Sequence, residues 1–114
     1  MSLDDAQDRR NLIDAIRARD IDRVAAAGAA LRRSDSEVPL EIALDMVVVA
    51  GEERDPRFEA WARRWSERVL AERRHGPAAG DEIRRLLQLV PTQNEARAVT
   101  LALRKYTATP RIWR

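Results

Sequence analysis

The chain of 114 residues contains no cysteine, one histidine, one lysine and only five aromatic residues. Each scarcity removes a class of chemistry. Without cysteine there is no disulfide, no thiolate nucleophile and no thiolate-held zinc or iron–sulfur centre. A single histidine, His75, offers no second imidazole for a metal. The glycines Gly28, Gly51, Gly76 and Gly80 are scattered, so no glycine-rich phosphate loop exists. The longest apolar run, Met46–Ala50, is far short of the roughly 18 residues that a membrane helix needs. The opening MSLDDAQDRR is polar and acidic, unlike a signal peptide. Together these features predict a cytoplasmic protein with no membrane contact, no metal and no cofactor.

What the chain does have is charge, carried almost wholly by arginine. The net charge of +2 conceals an asymmetry. Residues 1–56 hold 8 arginines against 13 acids, a net of −5, and residues 57–114 hold 12 arginines and Lys105 against 6 acids, a net of +7. A basic half suits a polyanion or an acidic partner surface. It also suits head-to-tail self-association, acidic half to basic half. A compact fold that interleaves the halves would leave a mixed surface instead.

Start and stop signals mark six helices. The first is expected over Leu3–Arg19 with Ser2 as cap, and the second from the cap Asp20 through Arg33. The third opens at Pro39 and closes at Ala50, with Gly51 as its terminator. It is apolar nearly all round, which predicts a buried central helix. The fourth is capped by Asp55, starts at Pro56 and runs about 20 residues to Gly76-Pro77. The fifth spans Asp81–Val90, and the sixth begins with the capping box Thr92-Gln93-Asn94-Glu95 and reaches Tyr106. Short loops predict antiparallel neighbours. The expected fold is all-α: three helical hairpins in an irregular bundle or a short solenoid of the TPR or HEAT kind. Residues 1–106 form one helical domain and 107–114 a tail.

Three stretches resemble known families. ALDMVVVA followed by Asp-Pro-Arg-Phe and Ala-Arg-Arg-Trp resembles small helical proteins of high-GC bacteria, an arrangement covering about residues 10–105. It implies a helical fold and no particular activity. The run from Gly80 to Tyr106 resembles the start of the DNA-binding region of sigma factors, but Pro110 stands where the recognition helix would begin. The first hairpin and VPLEIAL resemble ankyrin repeats, with Val38 and Glu41 in place of the family's Thr and His.

The densest cluster of candidate residues lies in DPRFEAWARRWSERVLAERRHGP. At 100° per residue, Phe58, Trp61, Ala62, Trp65 and Val69 share one stripe of the fourth helix. Arg57, Arg64 and Arg68 flank it. The stripe reads as core with arginines covering its rim, or as a surface where a partner stacks on Trp and pairs with Arg. The tail adds Arg111 and Trp113, an aromatic that either docks back on the domain or inserts into a partner. His75, beside Gly76, reads as a helix-end residue rather than a catalytic base. No catalytic constellation emerges. The expected function is a non-enzymatic protein-interaction module, accessory or regulatory, that engages a protein partner or a second copy of itself through Arg57, Trp61, Arg64, Arg68, Arg111 and Trp113. The alternative is a nucleic-acid-associated factor that uses the basic C-terminal half.

Overall fold

Asp20 and Leu12 illustrate how the first hairpin forms. The Asp20 carboxylate accepts from the backbone N–H of Arg23 at 3.3 Å and starts the second helix. Leu12 and Ala15 on the first helix are fully buried, as are Val24 and Leu31 on the second. The computed structural model describes residues 3–34, 37–92 and 97–108, with side chains from residue 6 onward in the first of these stretches. The helices are α1 (Leu3–Arg17), α2 (Ile21–Arg33), α3 (Leu40–Glu52), α4 (Phe58–Glu72), α5 (Ala79–Leu89) and α6 (Arg97–Thr107), with a single 3-10 turn at Val90–Thr92. The fold is all-α, and consecutive helices pair: α1 with α2, α3 with α4, α5 with α6.

α3 is the centre. It touches α1, α2, α4 and α6, and eight of its residues are buried. Two apolar clusters meet on it. The larger joins Leu40, Leu44 and Val47 to Trp65, Val69, Ile83, Val90 and Leu103. The smaller joins Met46 to Leu12, Val24, Leu31 and Val38. Ala43 and Trp61 pack against both. The molecule is a plate of 40 × 39 × 19 Å. No helix among the described residues is long and apolar enough to cross a membrane.

Several boundaries differ from the sequence reading, each for a physical reason. Pro39 is the residue before α3 rather than its first, and α3 runs on through Gly51 to Glu52. Gly51 is therefore not a terminator. It is a contact: a Cβ there would lie 2.6 Å from Val90 Cγ1 and 2.9 Å from Phe58 Cε1. The left-handed residue that ends α3 is Arg54, with φ 54°. Its N–H donates to the Gly51 carbonyl at 3.0 Å, and the Asp55 N–H donates to the Ala50 carbonyl at 2.9 Å, the paired bonds of a Schellman turn. α1 ends the same way, with Arg19 at φ 57° and the bonds Arg19 to Ile16 and Asp20 to Ala15.

α4 starts at Phe58, two residues beyond Pro56, because Asp55 first closes a turn by accepting from the Arg57 N–H at 2.8 Å. It stops at Glu72, well before Gly76. Arg73 is extended, and its guanidinium donates to the Thr107 carbonyl at the end of α6 at 3.1 Å. The helix thus ends before the Gly-Pro pair, and a tertiary bond ties its end to the end of α6. α5 starts two residues before Asp81. Ser2, most of the Thr92–Glu95 capping box, Arg111 and Trp113 lie outside the described residues. Within them, the Thr92 hydroxyl donates to the Leu89 carbonyl at 3.0 Å and closes the 3-10 turn.

Candidate functional site

On α4, Trp61, Arg64, Trp65 and Arg68 recur at intervals of three and four, so they share one face. That face opposes Ala43, Met46 and Val47, which share a face of α3 by the same spacing. The C-terminal end of α2 brings Arg32, and the strand of chain leading into α3 brings Glu37 and Val38. These ten residues line a cavity of about 370 Å³. Its floor is apolar: Val38, Met46, Val47 and Trp65 are buried, and Trp61 is half-buried. Its rim is three arginines and one glutamate.

The floor is rigid. Trp65 is 1% exposed, and its indole N–H donates to the Leu40 carbonyl at 3.0 Å. Met46 fills the space left by Gly28, where a Cβ would lie 3.0 Å from the Met46 Cε. Gly28 thus lets α2 approach α3 closely at Met46.

The three rim arginines are not equivalent. Arg68 is held: its Nε lies 3.0 Å from Glu72 and its Nη2 3.6 Å from Glu37. Arg32 and Arg64 have no ion pair among the described residues. Partial burial, and then the Arg64 charge, destabilise the Arg32 cation and lower its pKa from the ordinary value. Two arginines without an ion pair among the described residues therefore overlook one apolar groove from α2 and α4.

A larger hollow, about 780 Å³, lies between the C-terminal end of α3, α4 and α5, around Phe58. Its walls carry both signs of charge, Arg54, Arg63 and Arg84 with Asp55 and Glu59, and Arg84 is held by Asp81 at 2.9 Å. The only histidine, His75, lines neither cavity. Its ring meets Tyr106 edge-on, with centroids 5.1 Å apart and planes at 65°. Its Nε2 is buried without a hydrogen-bond partner. Burial outweighs a backbone hydrogen bond at Val69 and lowers its pKa, with the Arg73 charge acting in the same direction.

Of the residues singled out from sequence, the fold brings Trp61, Arg64 and Arg68 together. Arg57 sits before α4, outside the groove, where it pairs with Asp22 at 2.8 Å and Asp55 at 3.3 Å. Sequence reading missed Arg32, Val38 and Met46. Their common signal was only an apolar or basic character on three separate segments, and nothing in their spacing says that the segments meet.

The basic C-terminal half does not stand apart from the acidic one. Arg57 pairs with Asp22, Arg68 with Glu37 and Arg104 with Asp45 at 2.8 Å, and each of these bonds crosses from one sequence half to the other. Arg84 pairs with Asp81 at 2.9 Å. Against this geometry, no family model, no curated protein and no solved structure matches the chain.

Proposed function

We propose that the protein is a non-enzymatic interaction module, and that the groove between α2, α3 and α4 is its docking site. The occupant is a segment of a partner protein that inserts an apolar side chain over Trp61 and Met46 and presents acidic groups to the rim. One observation carries this reading: Arg32 and Arg64 overlook an apolar, aromatic floor with no carboxylate among the described residues paired to either. Aromatic residues and arginine are the types that dominate binding energy at protein interfaces. Opposed charge supplies orientation and speed of encounter.

The nucleic-acid alternative draws less support. Phosphate tracking needs a continuous cationic face, and Asp22, Glu37, Asp45, Glu72 and Asp81 interleave with the arginines that would form it. Catalysis draws less still, since the chain's one imidazole is wedged against Tyr106.

The test uses two synthetic amphipathic peptides with the same apolar residues, one carrying glutamates and the other lysines. Binding is followed by tryptophan fluorescence. The glutamate peptide binds and the lysine peptide does not, and Trp61→Ala or the pair Arg32→Glu with Arg64→Glu abolishes the signal. Equal binding of both peptides, or a Trp61→Ala variant that binds normally, refutes the reading. A gel shift with duplex DNA at low salt that disappears at high salt would transfer support to the alternative.

A further inference from the structure

Arg32 and Arg64, without an ion pair among the described residues, bear on what the partner presents to the groove. From their placement over an aromatic floor we infer that the groove recognises a phosphorylated tyrosine side chain in the partner segment. This inference rests on the docking-site reading and names the chemistry of its ligand.

The argument begins with charge. Arg32 comes from α2 and Arg64 from α4, and both border the same cavity. Neither has a carboxylate partner among the described residues, and the Arg32 cation is disfavoured by burial and then by Arg64. A carboxylate brings one charge and two oxygens, which saturate a single guanidinium fork. A phosphomonoester brings a charge of about −1.5 to −2 at neutral pH and three acceptor oxygens. It can engage two forks from opposite walls at once.

The floor selects what carries the phosphate. Phosphoserine is short, so with its phosphate at the rim it would leave Val38, Met46 and Trp61 uncovered. A phosphotyrosine places a flat apolar ring directly below the phosphate, where the half-buried indole of Trp61 and the Met46 thioether lie. The size agrees. A cavity of about 370 Å³ is near the lower limit of ligand sites, about 300–1,000 Å³, and suits one aromatic side chain with its charged group. Arg68 takes no part, because Glu72 and Glu37 already hold it.

The experiment titrates the full chain with N-acetyl-O-phosphotyrosine amide, reading the indole N–H resonances by NMR. The comparison probes are N-acetyl-tyrosine amide, N-acetyl-phosphoserine amide, inorganic phosphate, N-acetyl-tyrosyl-glutamate amide and adenosine monophosphate. The phosphotyrosine probe shifts the Trp61 resonance saturably and binds at least about tenfold more tightly than each of the others, the factor expected from one charge-assisted contact. Arg32→Gln and Arg64→Gln each remove that advantage, whereas Arg33→Gln, one residue along α2 and exposed, leaves it intact. Binding weakens below about pH 6, where the phosphate loses its second charge. If the tyrosyl-glutamate probe binds as well as phosphotyrosine, the acidic-partner reading stands and phosphate recognition is refuted. Tighter binding of phosphoserine or of adenosine monophosphate also refutes it, as does an equal loss in Arg33→Gln. If no aryl probe moves the Trp61 resonance, the docking site itself is wrong.

Discussion

The indole N–H of Trp65 donates to the main-chain carbonyl of Leu40 across 3.0 Å, inside the core and 25 positions away in sequence. This bond ties the middle of α4 to the start of α3. Trp65 is also among the largest fully buried side chains. Trp65→Ala is expected to cost about 3–5 kcal/mol, the range for a buried large aromatic. Trp65→Phe keeps much of the ring but loses the bond and some volume, for about 1–3 kcal/mol. Trp61 is only half-buried, so Trp61→Ala should destabilise less than Trp65→Ala while affecting binding more. Urea unfolding of the three variants ranks them; a Trp65→Ala loss below about 1 kcal/mol would contradict the burial described.

Two helical glycines should respond to alanine with different signs. In helix interiors the exchange is favourable by about 1 kcal/mol from propensity alone. At Gly51 the new methyl would meet Val90 at 2.6 Å and Phe58 at 2.9 Å, both in the packed larger cluster. Overpacking of this kind costs about 1–3 kcal/mol, so Gly51→Ala should destabilise. Adding Val90→Ala to it should recover part of the loss. At Gly28 the nearest atom is the Met46 Cε at 3.0 Å, the free end of a flexible side chain. Gly28→Ala should gain stability, by up to about 1 kcal/mol, because Met46 can shift. Thermal unfolding of the three variants tests both signs.

Arg54 holds a left-handed conformation, φ 54°, at the position where glycine is usual. Non-glycine residues there carry a penalty of roughly 1–2 kcal/mol, partly cancelled by the greater freedom glycine has when unfolded. Arg54 has no ion pair among the described residues, whereas Arg19, the equivalent residue of α1, bonds Glu53 at 2.6 Å. Arg54→Gly should therefore raise the unfolding midpoint, by about 1 kcal/mol or less of stability, and Arg19→Gly should gain less. A lower midpoint for Arg54→Gly would show that its side chain holds the turn in another way.

The His75–Tyr106 contact predicts instability at both ends of the pH scale. The His75 pKa is lowered in the folded state by burial, so as pH falls below the unfolded value of about 6.5 the unfolded chain takes up the proton first. Stability then declines toward acid pH until the folded His75 is protonated as well. His75→Phe should flatten the pH dependence of the melting temperature between about pH 5 and 7. Tyr106 behaves oppositely. Burial, followed by the hydrogen bond to Glu82 and its charge, pushes its pKa up to about 12. Its stabilising effect is complete below the unfolded value of about 10 and is lost as pH rises from there through the folded value. Tyr106 is the chain's only tyrosine, so tyrosinate absorbance near ~295 nm reports it alone. A folded-state midpoint at the ordinary tyrosine value would refute its burial.

The elements that the sequence showed clearly are those whose ends are decided locally. α2 begins directly after Asp20 and ends at Arg33, as its cap and stripe implied. The apolar girth of ALDMVVVA placed α3 at the centre. What stayed hidden was decided between helices. Gly51 looks like a terminator in one dimension and is a point of close packing in three. The end of α4 is tied to a carbonyl of Thr107, 34 residues on. Half of the groove followed from the three-and-four spacing on α4. The small residues of the α2 stripe, Gly28 among them, implied a close helix neighbour, but not that the neighbour is Met46 of α3 or that Arg32 borders the same cavity as Arg64.

The plate is 19 Å along its short axis, and the groove opens directly onto α3. A side chain resting on Met46 and Val47 presses on α3 itself, the beam that α1, α2, α4 and α6 all lean against. Occupancy at one small notch would then be felt as stiffness across the whole plate.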